Sequence, residues 1–300
     1  MKKQICVLAA ILFWLSGCLQ AEAYAAVSDG FRCSAPYDLS EGFSSTLSRV
    51  SGANFLGSKI AEHILKNQVT KNADGKFSVG VKSFSVADLK AGRFKSMEIH
   101  GKNVVSEGVY FSTMDISTLC DFNYIIYDEQ KSTALFKEDF PVSFAVTLSE
   151  EDLNNTMKAA GYFDLIEKVN GFGKALSLFE VESTEAKIRN NKFVYVFNMN
   201  VPALGFLGGK NTKFDVALIT DLRVENGQVL LDNPEFVNSY MKADLSSLTK
   251  VFNYLNPLEY SLKVMKNKDA VLKVRNVNII NDKINISGII NVPKDVLTQL

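Results

Sequence analysis

Residues that commonly carry catalysis or bind metal ions are few in this chain. It has two histidines, His63 and His100, so a histidine-based triad or a His-rich metal site has little to be built from. G-x-S-x-G, phosphate-loop and H-E-x-x-H motifs are absent from the sequence. The sequence therefore predicts no catalytic residues, no metal ion and no cofactor, and a protein that is not an enzyme.

The carboxylates of Glu150, Glu151 and Asp152 form a tight acidic cluster in the sequence. They follow Ser149, and a serine with an acid three residues later is typical of a helix start, where the helix dipole also favours negative charge. Helix capping explains this cluster better than paired acid and base catalysis does. Carboxylates that are distant in sequence can still meet in a fold, so an envelope hydrolase stays open as a third hypothesis.

The cysteines match no metal or redox motif. Cys33 and Cys120 lie past the N-terminal apolar run, and neither belongs to a zinc-type or C-x-x-C spacing. In an oxidising compartment the two could form a disulfide. Two inert buried thiols are the alternative, because sequence alone cannot bring their Cα atoms within bonding range.

The N-terminus has the pattern of a secretory signal peptide. Lys2 and Lys3 precede the uncharged apolar run Ile5–Trp14. This run is about half of the roughly 20 residues that a membrane-spanning helix needs. We therefore interpret residues 1–17 as a removable signal peptide and predict export to the cell envelope, in the periplasm or on the outer face.

Two processing sites compete at the end of this signal. Leu15–Cys18 resembles the bacterial lipobox, which favours a membrane-anchored lipoprotein acylated at Cys18. Small residues at 21, 23 and 25 offer A-x-A cleavage instead, which would extend the signal to about residue 25. Loss of residues 1–17 removes two lysines and no acid, so the formal net charge of +0 becomes −2. Such a chain is not expected to bind nucleic acid.

Hydrophobic periodicity predicts about a dozen strands and a few helices. Helical patterns occur at 57–67, from Ser149 to about Ala160, and around Leu245–Leu255. Two hairpins are expected, across Asn226–Gly227 and Asn281–Asp282. Strands are predicted over 76–82, Phe94–Ile99, Val109–Ile116, Phe122–Tyr127, Thr133–Phe136, Val142–Leu148, Phe193–Val201, Phe214–Val224, Ala270–Ile280 and Lys283–Val292.

We interpret this order as one elongated α+β unit. Residues 18–42 are predicted to be a loose N-terminal segment, and residues 43–300 a single elongated domain. The alternative division is into two similar halves, 43–170 and 171–300, with Gly171–Gly173 as a weak joint between them.

The largest signal in the sequence is apolar. The chain has 21 Phe and 10 Tyr, and each alternating strand must hide one face. A sheet of this extent can close on itself, pack on helices or leave an interior wide enough for acyl chains. Each candidate position could equally be packed core. The candidate lipid-lining residues are Phe77, Val79, Val81, Phe144, Val146, Phe197, Met199, Val216 and Leu218.

Two lysine-bearing stretches could meet anionic headgroups or a membrane surface. The alternative is that they are ordinary solvated strand and turn positions. The candidates are Lys90, Arg93 and Lys95 in the first stretch and Lys266 and Lys268 in the second.

The stretch Phe84–Asn154, about a quarter of the chain, resembles the LmeA-like phospholipid-binding family of bacterial cell-envelope proteins. The resemblance implies a tubular lipid-binding fold, in which strongly curved antiparallel sheet wraps around helices, and binding of phospholipid outside the cytoplasm. The second half matches only in its order of strands, hairpin and helix. The similarity rests on a Leu-x-x-Gly-Arg turn, here Leu89, Gly92 and Arg93, and on a helix start at Asp152, Leu153 and Asn154.

The leading hypothesis is a non-catalytic envelope protein that shelters phospholipid acyl chains in an apolar cavity, with basic residues near the headgroup. Its expected partners are phospholipid or a membrane surface. The alternative is a structural envelope lipoprotein that scaffolds other proteins through an exposed sheet edge and holds no internal lipid.

Overall fold

The computed structural model of this chain describes residues 31–40, 62–63, 65–67, 69–71, 73–128, 133–175, 179–201, 212–238, 249–265 and 270–299. Of these residues, 56% lie in strands, more than twice the share in helices. The strands are β1 (Asp74–Lys82), β2 (Arg93–Phe94), β3 (Ser96–Ser106), β4 (Val109–Thr118), β5 (Asn123–Asp128), β6 (Thr133–Phe136), β7 (Phe140–Ser149), β8 (Glu180–Arg189), β9 (Lys192–Val201), β10 (Thr212–Glu225), β11 (Gln228–Asn238), β12 (Val271–Ile280), β13 (Lys283–Val292) and β14 (Leu297–Gln299). The helices are α1 (Val86–Lys90), α2 (Glu150–Thr156), α3 (Ala160–Ala175), α4 (Thr249–Tyr254) and α5 (Pro257–Val264), and residues between 62 and 71 are also helical.

The largest sheet joins early and late parts of the chain. Its order is β1-β3-β4-β7-β13-β12, and all neighbours are antiparallel. Pairing of β13 with β7 places Asn285 opposite Thr147, and the Thr147 hydroxyl donates a 2.9 Å hydrogen bond to the Asn285 side chain. Alternate residues point to opposite faces, so one face is apolar and buried and the other carries polar side chains. The last hairpin thus completes a sheet that residues 74–149 begin.

Four tight hairpins connect successive strands. Each has two central residues with positive φ, a conformation that matches the right-handed twist of the flanking strands. The two hairpins predicted from the sequence, at Asn226–Gly227 and Asn281–Asp282, are confirmed. The other two turns are Glu107–Gly108 and Asn190–Asn191.

The second sheet has the order β11-β10-β9-β8, and helices cover the outer edge of β8. The side-chain amide of Asn154 in α2 accepts from the Ala186 backbone amide at 3.0 Å and donates to the Ala186 carbonyl at 2.8 Å. Asn170 in α3 makes the same pair of bonds to Val181, at 2.7 and 2.9 Å. Two side-chain amides therefore replace a neighbouring strand and satisfy edge groups that would otherwise pair with another chain.

The opposite edge of this sheet, β11, is covered in the same way by α4 and α5. The Val229 backbone amide donates to the Glu259 carboxylate at 2.5 Å, and the Val229 carbonyl accepts from the Asn256 side chain at 3.1 Å. Farther along, the Leu231 amide donates to the Asn253 side chain at 3.4 Å. Both edges of the four-stranded sheet are thus bonded to polar side chains of nearby helices.

The third sheet, β14-β6-β5-β2, is small and is tied to the N-terminal segment 31–40. The structure places Cys33 and Cys120 in a disulfide with a Cα separation of 5.4 Å, so the predicted pairing is present. The Tyr37 ring packs against Phe122 with ring centroids 5.1 Å apart. The segment has no helix or strand, yet covalent and ring contacts fix it to the body of the protein.

The predicted α+β fold, with helices wrapped by one strongly curved sheet, is wrong. The described residues form a β-rich fold of three antiparallel sheets with few helices. Most helices are too short to fill a sheet interior: α2 buries only Leu153 and Thr156. The apolar faces of strands supply most of the core instead. Helix α2 contacts β4 and β7 of the first sheet and β8 of the second, so it acts as a short spacer between them.

Two predicted helix boundaries also need correction. The helix that begins after Ser149 ends at Thr156, and a second helix, α3, runs through Gly171–Gly173, which the sequence had suggested as a joint. Pro257 begins α5, as proline commonly does at a first helical position, rather than only ending the helix before it. The capping box of Ser149 and Asp152 is confirmed. The predicted signal peptide 1–17, Cys18 and the first helical pattern up to residue 61 lie outside the described residues.

Candidate functional site

The nine predicted lining residues lie on the inner faces of β1, β7, β9 and β10. Eight of them are at most 7% exposed and belong to one continuous apolar core. Val79 is the ninth and is only half-buried. Phe197, for example, packs on Phe252 of α4 with ring centroids 4.3 Å apart. The packed eight are Phe77, Val81, Phe144, Val146, Phe197, Met199, Val216 and Leu218.

Val79 lines a groove of about 290 Å³ between β1 and the helical residues Glu62, His63 and Lys66. This volume is close to the lower end of the range for small-molecule sites. The Lys66 side chain is exposed at the groove, whereas the Glu62 carboxylate accepts from the Val81 backbone amide at 3.4 Å. The groove therefore combines apolar surface at the margin of the core with a positive charge. Its lining residues are Glu62, His63, Lys66, Ser78 and Val79.

A serine, a histidine and an aspartate lie side by side next to this groove. Strand register places Ser78 of β1 opposite His100 of β3, and His100 opposite Asp115 of β4. The His100 Nδ1 atom is 2.5 Å from the Asp115 carboxylate. A nucleophilic triad also requires a hydrogen bond between the serine and the second imidazole nitrogen, whereas the hydrogen bond described for His100 is the one to Asp115. The arrangement is a cross-strand histidine–aspartate contact with a serine on the neighbouring strand.

The first predicted headgroup cluster is largely engaged by the protein itself. The Arg93 guanidinium lies 3.4 Å from the Asp88 carboxylate and 5.6 Å from the centre of the Tyr124 ring. Lys95 lies over the Phe84 ring at 5.2 Å. Lys90 is exposed in the last turn of α1. Lys266 and Lys268 lie outside the described residues.

Asp88 fixes the turn that carries Arg93. Burial alone would raise the pKa of the Asp88 carboxyl, but hydrogen bonds from Ser85 and Ser40 and the nearby Arg93 guanidinium outweigh it and hold that pKa below its ordinary value. Gly92 has a φ of +82°, and a Cβ there would collide with the Ile125 carbonyl. The Leu-x-x-Gly-Arg turn of the resemblance is therefore required for local structure.

Two tyrosines, Tyr162 of α3 and Tyr195 of β9, are fully buried. The hydroxyls of Tyr162 and Tyr195 touch, and both donate to the Leu255 carbonyl, at 2.5 and 2.9 Å. Burial raises the pKa of both phenols well above the ordinary value. These groups stay neutral near pH 7 and join α3 and β9 to the end of α4, which is a structural role.

The described part of the chain has neither a metal-binding cluster nor a membrane-spanning helix. No group of three or more His, Cys, Asp and Glu side chains is arranged there to hold a metal ion. Among the same residues, no helix has the length and apolar character needed to cross a bilayer.

Sequence reasoning singled out Val79 but missed Lys66, which lines the same groove, and Lys76, which lies on the polar face of the same strand. Alternation in residues 76–82 places Lys76 and Ser78 on one face of the strand, which was visible in the sequence. What the sequence could not give was the pairing of β1 with β3, which adds Lys102 to that face.

Comparisons with known proteins give no family for this chain. It matches no protein-family model and no curated protein. A crystal structure of a lipopolysaccharide binding protein aligns over 72% of this chain and 85% of that chain, with 8% sequence identity and a TM-score of 0.15. A similarity at this level carries no argument about fold or function.

Proposed function

We propose that this chain is a non-catalytic phospholipid-binding protein of the bacterial cell envelope. The observation that carries the proposal is the groove beside β1, where half-buried Val79 adjoins the apolar core and Lys66 adds a positive charge. An acyl chain gains binding energy by apolar burial, at about 25 cal/mol per Å², and a phosphate headgroup gains from a nearby ammonium. The Cys33–Cys120 disulfide supports an oxidising compartment outside the cytoplasm.

Native mass spectrometry of the mature protein, delipidated and then incubated with phosphatidylglycerol, tests this function. We expect the wild-type protein to retain lipid and Val79→Phe, which fills the groove, to lose at least tenfold in bound fraction. Val196→Phe is the matched control, because Val196 is also half-buried on a strand but lies on the outer face of the second sheet. A wild-type protein that takes up no phospholipid would contradict the proposal.

A structural scaffold is the second candidate function, and one observation favours it. On the outer face of the four-stranded sheet, Val196, Ala217 and Val237 lie directly opposite one another across β9, β10 and β11. Val237 is 53% exposed. Exposed apolar patches are typical of protein contact surfaces, and Val196 and Ala217 add half-buried apolar surface beside Val237. This function predicts that the same mass spectra contain protein without phospholipid.

A further inference from the structure

The polar face of β1 and β3 beside the groove carries a pair of lysines at one point. Strand register places Lys76 directly opposite Lys102, and both side chains are exposed. Like charges that lie directly opposite in an antiparallel pair destabilise it. An anion between the two ammonium groups would remove this repulsion.

Neither lysine has an ion pair within the part of the chain that the structure describes. Four residues after Ser78, Lys82 of β1 does have an acidic neighbour, because its ammonium group lies 3.8 Å from the Glu98 carboxylate of β3. On the second sheet, cross-strand pairs such as Lys192 with Asp221 (2.5 Å) and Lys213 with Glu182 (2.6 Å) neutralise the lysines. The charges of Lys76 and Lys102 are not neutralised in this way.

Lys66 extends the same positive region across the groove from the helical segment. Its ammonium group also has no ion pair among the described residues, whereas two nearby acids are engaged: Asp115 by His100, and Glu62 by the Val81 amide. Lys76 stands two positions before Ser78 on the same face of β1, so its side chain begins about 7 Å from the groove wall. Three long, flexible lysines can converge on one anion there, since the ammonium is a compact charge on a flexible stem.

We propose that Lys66, Lys76 and Lys102 form a phosphate-binding site at the mouth of the groove, and that it takes the phosphodiester of an anionic phospholipid headgroup. The site rests on the proposed phospholipid-binding function, because Val79 and the groove receive the lipid beyond its phosphate. Phosphate oxygens accept charge-assisted hydrogen bonds from lysine ammonium groups.

Titration calorimetry of the mature protein, with its disulfide intact, tests the site with three probes. These are a short-chain phosphatidylglycerol below its micelle concentration, glycerol phosphate without acyl chains, and a short-chain diacylglycerol without phosphate. The test variant is the double substitution Lys76→Gln and Lys102→Gln, which removes both charges without adding an acid. The matched control is Lys158→Gln with Lys168→Gln, two exposed lysines near and on α3.

We expect phosphatidylglycerol to bind the wild-type protein at least tenfold more tightly than the test variant, with the control unchanged and diacylglycerol weaker than phosphatidylglycerol. Equal binding of phosphatidylglycerol to wild type and test variant would overturn the phosphate site and leave the proposed function standing. If glycerol phosphate is the only one of the three probes that binds, and its binding depends on the two lysines, the result would support the phosphate site and overturn the phospholipid function. Absence of binding by all three probes would overturn both. Thermal unfolding confirms that the variants fold, since removing a like-charge pair should not destabilise them.

Discussion

The edges of the four-stranded sheet differ from the β1 edge of the six-stranded sheet. At β8 and β11, asparagine and glutamate side chains bond the edge backbone at distances as short as 2.5 to 2.9 Å. At β1 the bond from the Val81 amide to Glu62 is long, at 3.4 Å, and the groove lies beside it. The comparison teaches that β8 and β11 each have at least one bond of 2.9 Å or shorter to a covering helix, whereas the candidate binding surface lies at an edge whose described side-chain bond is long.

Asn170→Leu should break the β8 edge most strongly. Asn170 is 3% exposed, and its loss leaves both the amide and the carbonyl of Val181 without their partner. Unsatisfied buried groups cost about 1–3 kcal/mol each, so we expect a loss of about 3 kcal/mol in the free energy of unfolding, measured by urea denaturation. Asn155→Leu is the control, since the bond described for the Asn155 side chain is an exposed 3.3 Å contact with Lys158. Equal losses in the two variants would mean that the side chains do not hold this edge.

Asn256→Ala should break the β11 edge with a smaller effect. Asn256 caps α5 through the Leu258 amide at 3.1 Å and also donates to the Val229 carbonyl. Loss of a cap costs typically about 1 kcal/mol, and the orphaned carbonyl adds to it, so we expect about 2 kcal/mol. Asn253→Ala removes one 3.4 Å bond and should cost less than about 1 kcal/mol. A reversed order of these two variants in chemical denaturation would argue against the assigned bonds.

The smallest predicted effect is a pH dependence of the free energy of unfolding that arises from Glu150. Burial opposes ionisation of Glu150, but the Ile188 amide and the Arg189 guanidinium outweigh it and hold its pKa below the ordinary value. Because the folded-state pKa is the lower one, this stabilisation is present above the ordinary value and is lost as pH falls through the folded-state value. The side chain is 35% exposed, so solvent limits the effect to less than about 1 kcal/mol.

Unfolding of wild type and Glu150→Gln, compared at about pH 7 and about pH 3, measures this contribution. The wild-type advantage should shrink toward the lower pH, because the stabilisation by the carboxylate is lost as pH falls toward and through its folded-state pKa. An advantage of the same size at both pH values would mean that the ionised Glu150 carboxylate does not stabilise the β8 edge.

Local chemistry made much of the strand pattern predictable. Alternation located β4, β7, β9, β10, β12 and β13, and the turn chemistry of Asn226–Gly227 and Asn281–Asp282 located two hairpins. The turn at Glu107–Gly108 was missed because glutamate rarely adopts positive φ. Ser149 and Asp152 predicted the start of α2, because its capping box is formed by residues close together in sequence.

Other features of the fold depend on tertiary contacts and could not be predicted from the sequence. Glycines at 161, 171 and 173 lower helix propensity, so α3 was not predicted, yet Tyr162, Ile166 and Val169 bury one face of it. Asn154 and Asn170 resemble ordinary polar helix residues until β8 lies beside them. The candidate site shows the same limit: alternation indicated Val79, but only the pairing of β1 with β3 brings Lys76 and Lys102 together.

The pairing of β7 with β13 has a consequence for biogenesis. Strand β7 ends at Ser149 and its partner begins at Lys283, so at ordinary rates of translation β7 waits roughly 10 to 30 s for the hairpin that covers it. During that interval β7 is paired with β4 on one side, and its other edge stays open to association with another chain. Premature termination anywhere before Lys283 would make that exposure permanent, so truncated products should be cleared by proteases or aggregate.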